Sequence, residues 1–558
     1  MRPTVLFACA CAIALAAASP AAAGAVVEPA EAIATVERDP AGAPLRAAAF
    51  EAAQWAQIST AASALAQVGV RFAAGTDDLA RLVRARQDLV EAWRAADRRA
   101  RTDTTALDER ETVARRIAES DAVLRRRFPA YADLTNPRPL SVERVRGLLG
   151  ADEALVLTLV DPTATHLFVV TREGDAWLRA DLGAADLAAR VRRLRADLAP
   201  GAADTARGRT RAAESAFGDE AATGAPRFDR ATAHGLYRAL LEPFEPVLAG
   251  KRHLLVVADG ALTSLPLAVL PTSRPIGDDG DPDALRATPW LMQRHAVTTL
   301  PSVGALVALR ELAKPSRGSE PFRGFGAPKL AGNGDGTRSP GRTSGYFRDG
   351  VADPQAVAAL APLPETEAEL RRMGAALGAP ASAVTVGAAA TETAVKRADL
   401  SKARVVAFAT HGLIAGEIDG LAEPALVLTP PAVATRDDDG LLTASDAARL
   451  KLSADWVVLS ACNTAAGDGT PGADGLSGLA RAFFYAGART LLVSHWPVRD
   501  DAAARLTTTA FAELARDPAI GRAEAIRRSM QTLAADPTDP TLAHPAAWAP
   551  FVVVGENR

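Results

Sequence analysis

The spacing of hydrophobic residues changes along this chain. From about residue 46 to 128 they return every three or four positions: Trp55, Ile58, Ala62, Leu65 and Val68, then Leu79, Leu82, Leu89 and Trp93. That period is the buried stripe of amphipathic helices. Gly75-Thr76-Asp77 separates two of them, with Thr76 or Asp77 as N-cap, and Asp103 or Thr104 opens a third. After Pro129 the apolar runs become continuous. Residues 153–160 and 167–171 read as hairpin strands around Asp161-Pro162, and a helix follows near 184–198. A helix over 230–248 then leads to a strand at 253–258 and another near 295–300. A short strand at Phe322 to Phe325 interrupts a Pro/Gly/Ser/Arg-rich loop spanning 315–350. From 364 on, helices alternate with β-branched strands at 404–409, 425–428, 455–460, 489–494 and 549–554. The pattern predicts an α/β fold: a mostly parallel sheet with helices on both faces, preceded by an α-helical N-terminal region.

Composition narrows the functional classes. The 558 residues are 48% hydrophobic and 23% charged, enough to build a sizeable core. Lys and Arg number 63 against 66 Asp and Glu, so no global field draws nucleic acid. The Arg-rich stretch from Arg81 to Arg127 is interleaved with Asp88, Glu91, Asp97 and other acids, as on an ion-paired helix face. Arg2 followed by the apolar run Val5 to Ala18, then Ala21, Ala22 and Ala23, fits a cleaved export signal over 1–23. The mature chain is then expected outside the cytoplasm, periplasmic or secreted; an uncleaved N-terminal anchor is the alternative. Residues 28 to about 45 read as a flexible leader and 200–227 as a mobile insertion. Of the chain's three cysteines, cleavage removes Cys9 and Cys11 and leaves Cys462. A lone Cys in an exported chain is an inert core residue or a reactive thiol.

Its context favours the thiol. Strand 404–409 ends in Thr410-His411-Gly412, and strand 455–460 in Ala461-Cys462-Asn463-Thr464. In one parallel sheet both tips emerge at the carboxyl edge, where open α/β sheets place their sites. A thiolate is the nucleophile, and an imidazole is the group to take and return its proton. The backbone N–H groups of Gly412 and Cys462 are the candidate oxyanion donors. The His precedes the Cys by 51 residues, near the spacing of about 50 in caspase-type sites. Asp455 and Asp419 are candidates to orient His411, and His495 is a weaker third member. The remaining histidines share no metal-ligand spacing, so no metal or cofactor is expected.

Ordered blocks carry a resemblance to a known family. They include Phe408-Ala-Thr-His-Gly412, Leu421-Ala-Glu-Pro-Ala-Leu-Val-Leu428, Asp439-Gly-Leu-Leu-Thr-Ala444, Val458-Leu-Ser-Ala-Cys-Asn-Thr464, Gly475-Leu-Ser-Gly-Leu-Ala-Arg481, Trp496-Pro-Val498 and Trp548-Ala-Pro-Phe-Val552. The earlier Gly260-Ala-Leu-Thr-Ser-Leu-Pro266 matches too. The chain resembles the CHAT domain family, caspase-like and remotely similar to separase among clan CD cysteine peptidases. The resemblance covers about 230–556. It implies a caspase-haemoglobinase-like fold, a His411/Cys462 catalytic dyad and endopeptidase activity on a protein or peptide substrate. Ahead of it the periodicity gives a flexible leader and helical region over 24–128, and the resemblance implies an α/β lobe over 129–310 that is a degenerate companion and a catalytic lobe over 311–558. Separases resemble the stretch after Trp496 and carry there an acid that meets a basic P1 residue. By that analogy Asp500 selects Arg or Lys, with Asp474 and Trp496 as further P1-pocket candidates. Tetratricopeptide repeats, common in the family, are not recognisable here. Two alternatives stay open: a peptidase latent until a protein partner or a loop cleavage activates it, and a non-catalytic scaffold that keeps the fold.

Overall fold

The computed structural model describes residues 42–57, 89, 106–127, 139–199, 226–312, 318–332, 347–348, 351–413, 421, 423–435, 437–461, 464 and 478–557. The expected export signal lies outside them, as do Cys9, Cys11, Cys462, Asn463, Asp419 and Asp474. Most of the helical text between 58 and 105, and the insertion after residue 199, also lie outside. Among the described residues no helix is long and apolar enough to cross a membrane.

The strands, in chain order, are β1 (Glu153–Val160), β2 (Thr165–Thr171), β3 (Asp175–Ala180), β4 (His253–Val257), β5 (Ala296–Thr299) and β6 (Glu320–Pro328). They continue with β7 (Phe347–Arg348), β8 (Val351–Ala352), β9 (Val384–Gly387), β10 (Ala403–Ala409), β11 (Gly412–Leu413) and β12 (Ala425–Val427). The last are β13 (Leu441–Thr443), β14 (Trp456–Ser460), β15 (Thr490–Ser494) and β16 (Phe551–Gly555). Eleven of them form one sheet in the order β3-β2-β1-β4-β5-β16-β15-β14-β10-β6-β9. Pairing is antiparallel in the β1-β2-β3 meander and between β15 and β16, and parallel elsewhere. The sheet is thus continuous across both expected lobes. β16, the last strand in the chain, lies between β5 and β15 and joins them.

Both faces of the sheet are buried, which is why its strands read as unbroken apolar runs. In β10, Ala407 and Ala409 pack into one core and Val406 and Phe408 into the other. The first core lies under helices α1 (Ala184–Leu198), α2 (Arg230–Leu240), α3 (Glu365–Ala376), α4 (Asp500–Arg516) and α5 (Arg522–Ala534). The second holds Phe50 and Ala53 of the helix Gly42–Ala56, Val142 and Val145 of the helix Val142–Leu148, and the helix Gly478–Ala486. A small sheet, β11-β12-β13, stands beyond the end of β10.

Several boundaries differ from the sequence reading. The first helix starts at Gly42, inside the expected leader. The helix expected over 230–248 stops at Leu240, because Pro243 and Pro246 each remove a backbone donor; short helical turns replace it. β3 has no counterpart among the expected strands, and β6 runs nine residues in place of a short strand.

Candidate active site

The sheet brings the two candidate tips together. β10 and β14 are parallel neighbours with Ala409 opposite Ser460, so His411 and Cys462 each follow a matched pair by two residues. The Thr410 N–H donates to Ser460 O at 3.3 Å, and its hydroxyl to Val427 O at 2.5 Å. His411 O accepts from Val427 N at 3.0 Å, which ties the His backbone to β12. Gly412 opens β11, opposite Leu426.

His411 is 1% exposed, and a backbone contact orients its ring: Nε2 lies 2.7 Å from the carbonyl oxygen of Ala361. A carbonyl only accepts, so Nε2 carries the proton and Nδ1 of the neutral ring carries the lone pair. Four residues on, the N–H of Glu365 at the start of α3 donates to Asp500 Oδ2 at 2.8 Å. The single segment 361–365 therefore contacts both the candidate base and the candidate P1 selector. Asp500 begins α4 and is 5% exposed.

The backbone around Cys462 is held from β15. Ala461 O accepts from the Ser494 hydroxyl at 2.6 Å and the Thr464 hydroxyl at 3.2 Å. Ser494 N donates to Thr464 Oγ1 at 2.9 Å. All three residues are buried. Cys462 and Asn463, which this clamp brackets, lie outside the described residues.

Residues 230–556 match the CHAT domain. The chain belongs to the CHAT domain family. Among curated proteins it is similar to tetratricopeptide repeat protein 28 of Mus musculus, at 31% identity over 35% of this chain and 9% of that protein. The human protein of the same name is 30% identical, over 35% of this chain and 8% of that protein. The chain spans less than a tenth of the length of these relatives. Among solved structures, Saccharomyces cerevisiae separase in its complex with securin aligns at 10% identity and a TM-score of 0.40, over 77% of this chain and 31% of that one. The Arg-specific cysteine proteinase gingipain R aligns at 10% identity and 0.32, over 59% and 68%. The fold is α/β, an eleven-stranded and mostly parallel sheet with helices on both faces.

In this CHAT domain the other singled-out residues have definite places. Trp496 is fully buried; its Nε1 donates to Ala546 O at 2.9 Å, and the Arg195 guanidinium lies 5.3 Å over its ring. Arg195 Nη2 also donates to His495 O at 2.8 Å, and burial pushes the guanidinium down to about 10. Burial, with Arg195 nearby, pushes the His495 imidazole down to about 3, so it stays neutral. Asp455 is not near His411. It precedes β14 at the amino end of the strand, where it pairs with Arg489 at 3.5 Å and Arg404 at 3.8 Å. Sequence reasoning misses the Ala361 carbonyl and the Ser494–Thr464 clamp. A backbone acceptor leaves no side-chain signature, and a Ser ending a strand is the only visible signal for the clamp.

Proposed function

We propose that this CHAT domain is a cysteine endopeptidase, matured outside the cytoplasm by removal of 1–23, and acting on a protein or peptide substrate. Cys462 is the nucleophile and His411 the base. The Cys462 thiol loses its proton to Nδ1 of His411, and sulfur adds to the scissile carbonyl. The oxyanion lies against the N–H groups of Gly412 and Cys462. The imidazolium protonates the leaving amine, the C–N bond breaks, and a thioester remains. His411 then takes a proton from water, whose oxygen adds to the thioester; the thiol and a carboxylic acid are released. The basic-P1 preference is assigned to Asp500, with Asp474 and Trp496 as further P1-pocket candidates.

One observation carries this reading. His411 stands at the tip of β10, its Nε2–H committed to Ala361 O, beside the strand whose next residues carry Cys462. That geometry leaves Nδ1 as the proton acceptor a dyad requires. The near-complete burial of His411 favours the latent form of the enzyme, in which a partner or a loop cleavage opens the edge.

The test exposes the purified chain, with Cys462→Ala and His411→Ala, to a diverse peptide library and reads cleavage by mass spectrometry. Cleavage by the parent, lost in both variants, with Arg or Lys before the cut, is the expected outcome. Cleavage that survives in Cys462→Ala overturns the nucleophile. An acidic P1 overturns the role of Asp500.

A further inference from the structure

A cavity of about 250 Å³ lies between α5 and the β4–β5–β16 part of the sheet. Its floor is apolar: Val256 of β4, Val297 of β5 and Phe551 and Val553 of β16. Ile526 and Met530 of α5 roof it, with Leu265 and Ala268 from the turns after β4. Two strand spacings separate β4 from β16, so the floor is about 10 Å wide.

Two polar groups at its rims lack partners. At the β16 side His495, 6% exposed, has a buried Nδ1 with no hydrogen-bond partner. At the opposite side Gln57 donates through Nε2 to Thr158 O but leaves Oε1 buried and unpartnered. Buried polar groups are satisfied in native proteins with few exceptions, and each exception calls for a missing partner. The charged groups in the walls are already engaged. Arg527 makes a two-point pair with Glu524 at 2.6 and 2.7 Å, and Asp259 Oδ2 accepts from Val160 N at 2.8 Å. Arg195 lies behind the His495 carbonyl and is not part of the wall. No wall cation among the described residues is therefore left to meet an anion.

We propose that this cavity is a binding site for one neutral, medium-chain aliphatic molecule, its chain on the β4–β5–β16 floor and a hydroxyl or amide head on His495. Size sets the chain length. A dry cavity of about 150 Å³ takes benzene, so this volume suits roughly ten non-hydrogen atoms. A straight chain of about eight carbons also spans the floor. The head supplies the hydrogen bond that His495 lacks, and a neutral head avoids the cost of burying a carboxylate without a cation. The site does not depend on the peptidase reading.

The test uses the full chain and 1-octanol as probe, followed by calorimetry and by ¹⁵N-histidine NMR. Octanol is expected to saturate at one molecule per chain and to shift the His495 ring resonance, with octanoate at least tenfold weaker. Ala523→Leu fills the cavity from α5 and should weaken octanol at least tenfold. Ala268→Leu fills it from the other wall and serves if the first variant does not fold. Absence of octanol binding, binding unchanged in the filled variant, or tighter binding of octanoate each overturns the proposal.

Discussion

At the scale of single residues, Ser494 determines how firmly the residues flanking the proposed nucleophile are held. Its hydroxyl and N–H reach Ala461 O and Thr464 Oγ1, the described residues on either side of Cys462. Ser494→Ala removes the shorter of the two hydroxyl bonds to the buried Ala461 carbonyl. Leaving a buried group short of a partner costs about 1–3 kcal/mol, and urea unfolding should show a loss of that size. In the peptidase assay kcat should fall on the order of tenfold or more, because a misplaced reacting group costs rate steeply, while KM holds. Equal stability and equal kcat would remove Ser494 from this role. The same residues show what a sequence can reveal about a site. The place of His411 is legible because its Thr-His-Gly follows an apolar run, and the residue stands just past the end of β10. The Ala361 carbonyl is not, since any residue type carries one; the fold alone brings residue 361 to the ring.

At the scale of elements, β6 is the revealing case. Pro321, Gly324, Gly326 and Pro328 break its apolar run, so its nine residues read as a short strand in a loop. Gly326 pairs with Ala409 in β10, and a Cβ there would stand 2.2 Å from Ala409 O. The glycine is needed for close approach of two strands two residues before His411. Gly326→Ala should push the end of β10 outward and cost about 1–3 kcal/mol by over-packing. Gly147, inside the helix Val142–Leu148, is open: a methyl group added to it would meet nothing within 4 Å. Gly147→Ala should therefore gain about 0.5–1 kcal/mol from helix propensity alone. Thermal unfolding of the two variants distinguishes them, and a shift of the same sign in both would defeat the argument. β3 escapes the sequence for another reason. One face of this edge strand carries Asp175, Trp177 and Arg179, so a large aromatic stands among charges and blurs the alternation a strand normally displays. The central strands β4, β10, β14 and β15 are legible because they are buried throughout or nearly so. Their order is not, because neighbours in a parallel sheet are chosen by crossovers far apart in sequence.

At the scale of the whole molecule, one buried acid ties together parts of the chain that are distant in sequence. Glu153 begins β1 and is fully buried. Arg310 donates to both its oxygens, at 2.9 and 3.1 Å, and Asn557, just past β16, donates at 3.0 Å. Arg310 also bonds Asn557 Oδ1 at 3.1 Å. The start of β1, the segment before β6 and the end of β16 are thereby locked at one corner of the sheet. Burial alone would raise the Glu153 carboxyl. The Arg310 guanidinium, the Gly150 N–H and the Asn557 amide outweigh it and hold the group at about 2. A folded value below the unfolded one near 4.5 means that its contribution is complete above pH 4.5 and fades as pH falls toward 2. Arg310→Met strands the carboxylate, and breaking a buried pair from one side costs about 3–5 kcal/mol. In that variant burial is opposed by fewer partners, so the carboxyl takes up a proton more readily and acid relieves the cost. The stability gap between parent and variant should be widest at pH 7 and narrow on acidification, read as the difference in urea midpoints at pH 7 and pH 4. A gap of constant width would mean that Arg310 acts by packing and that charge at Glu153 does not join the two ends of the sheet.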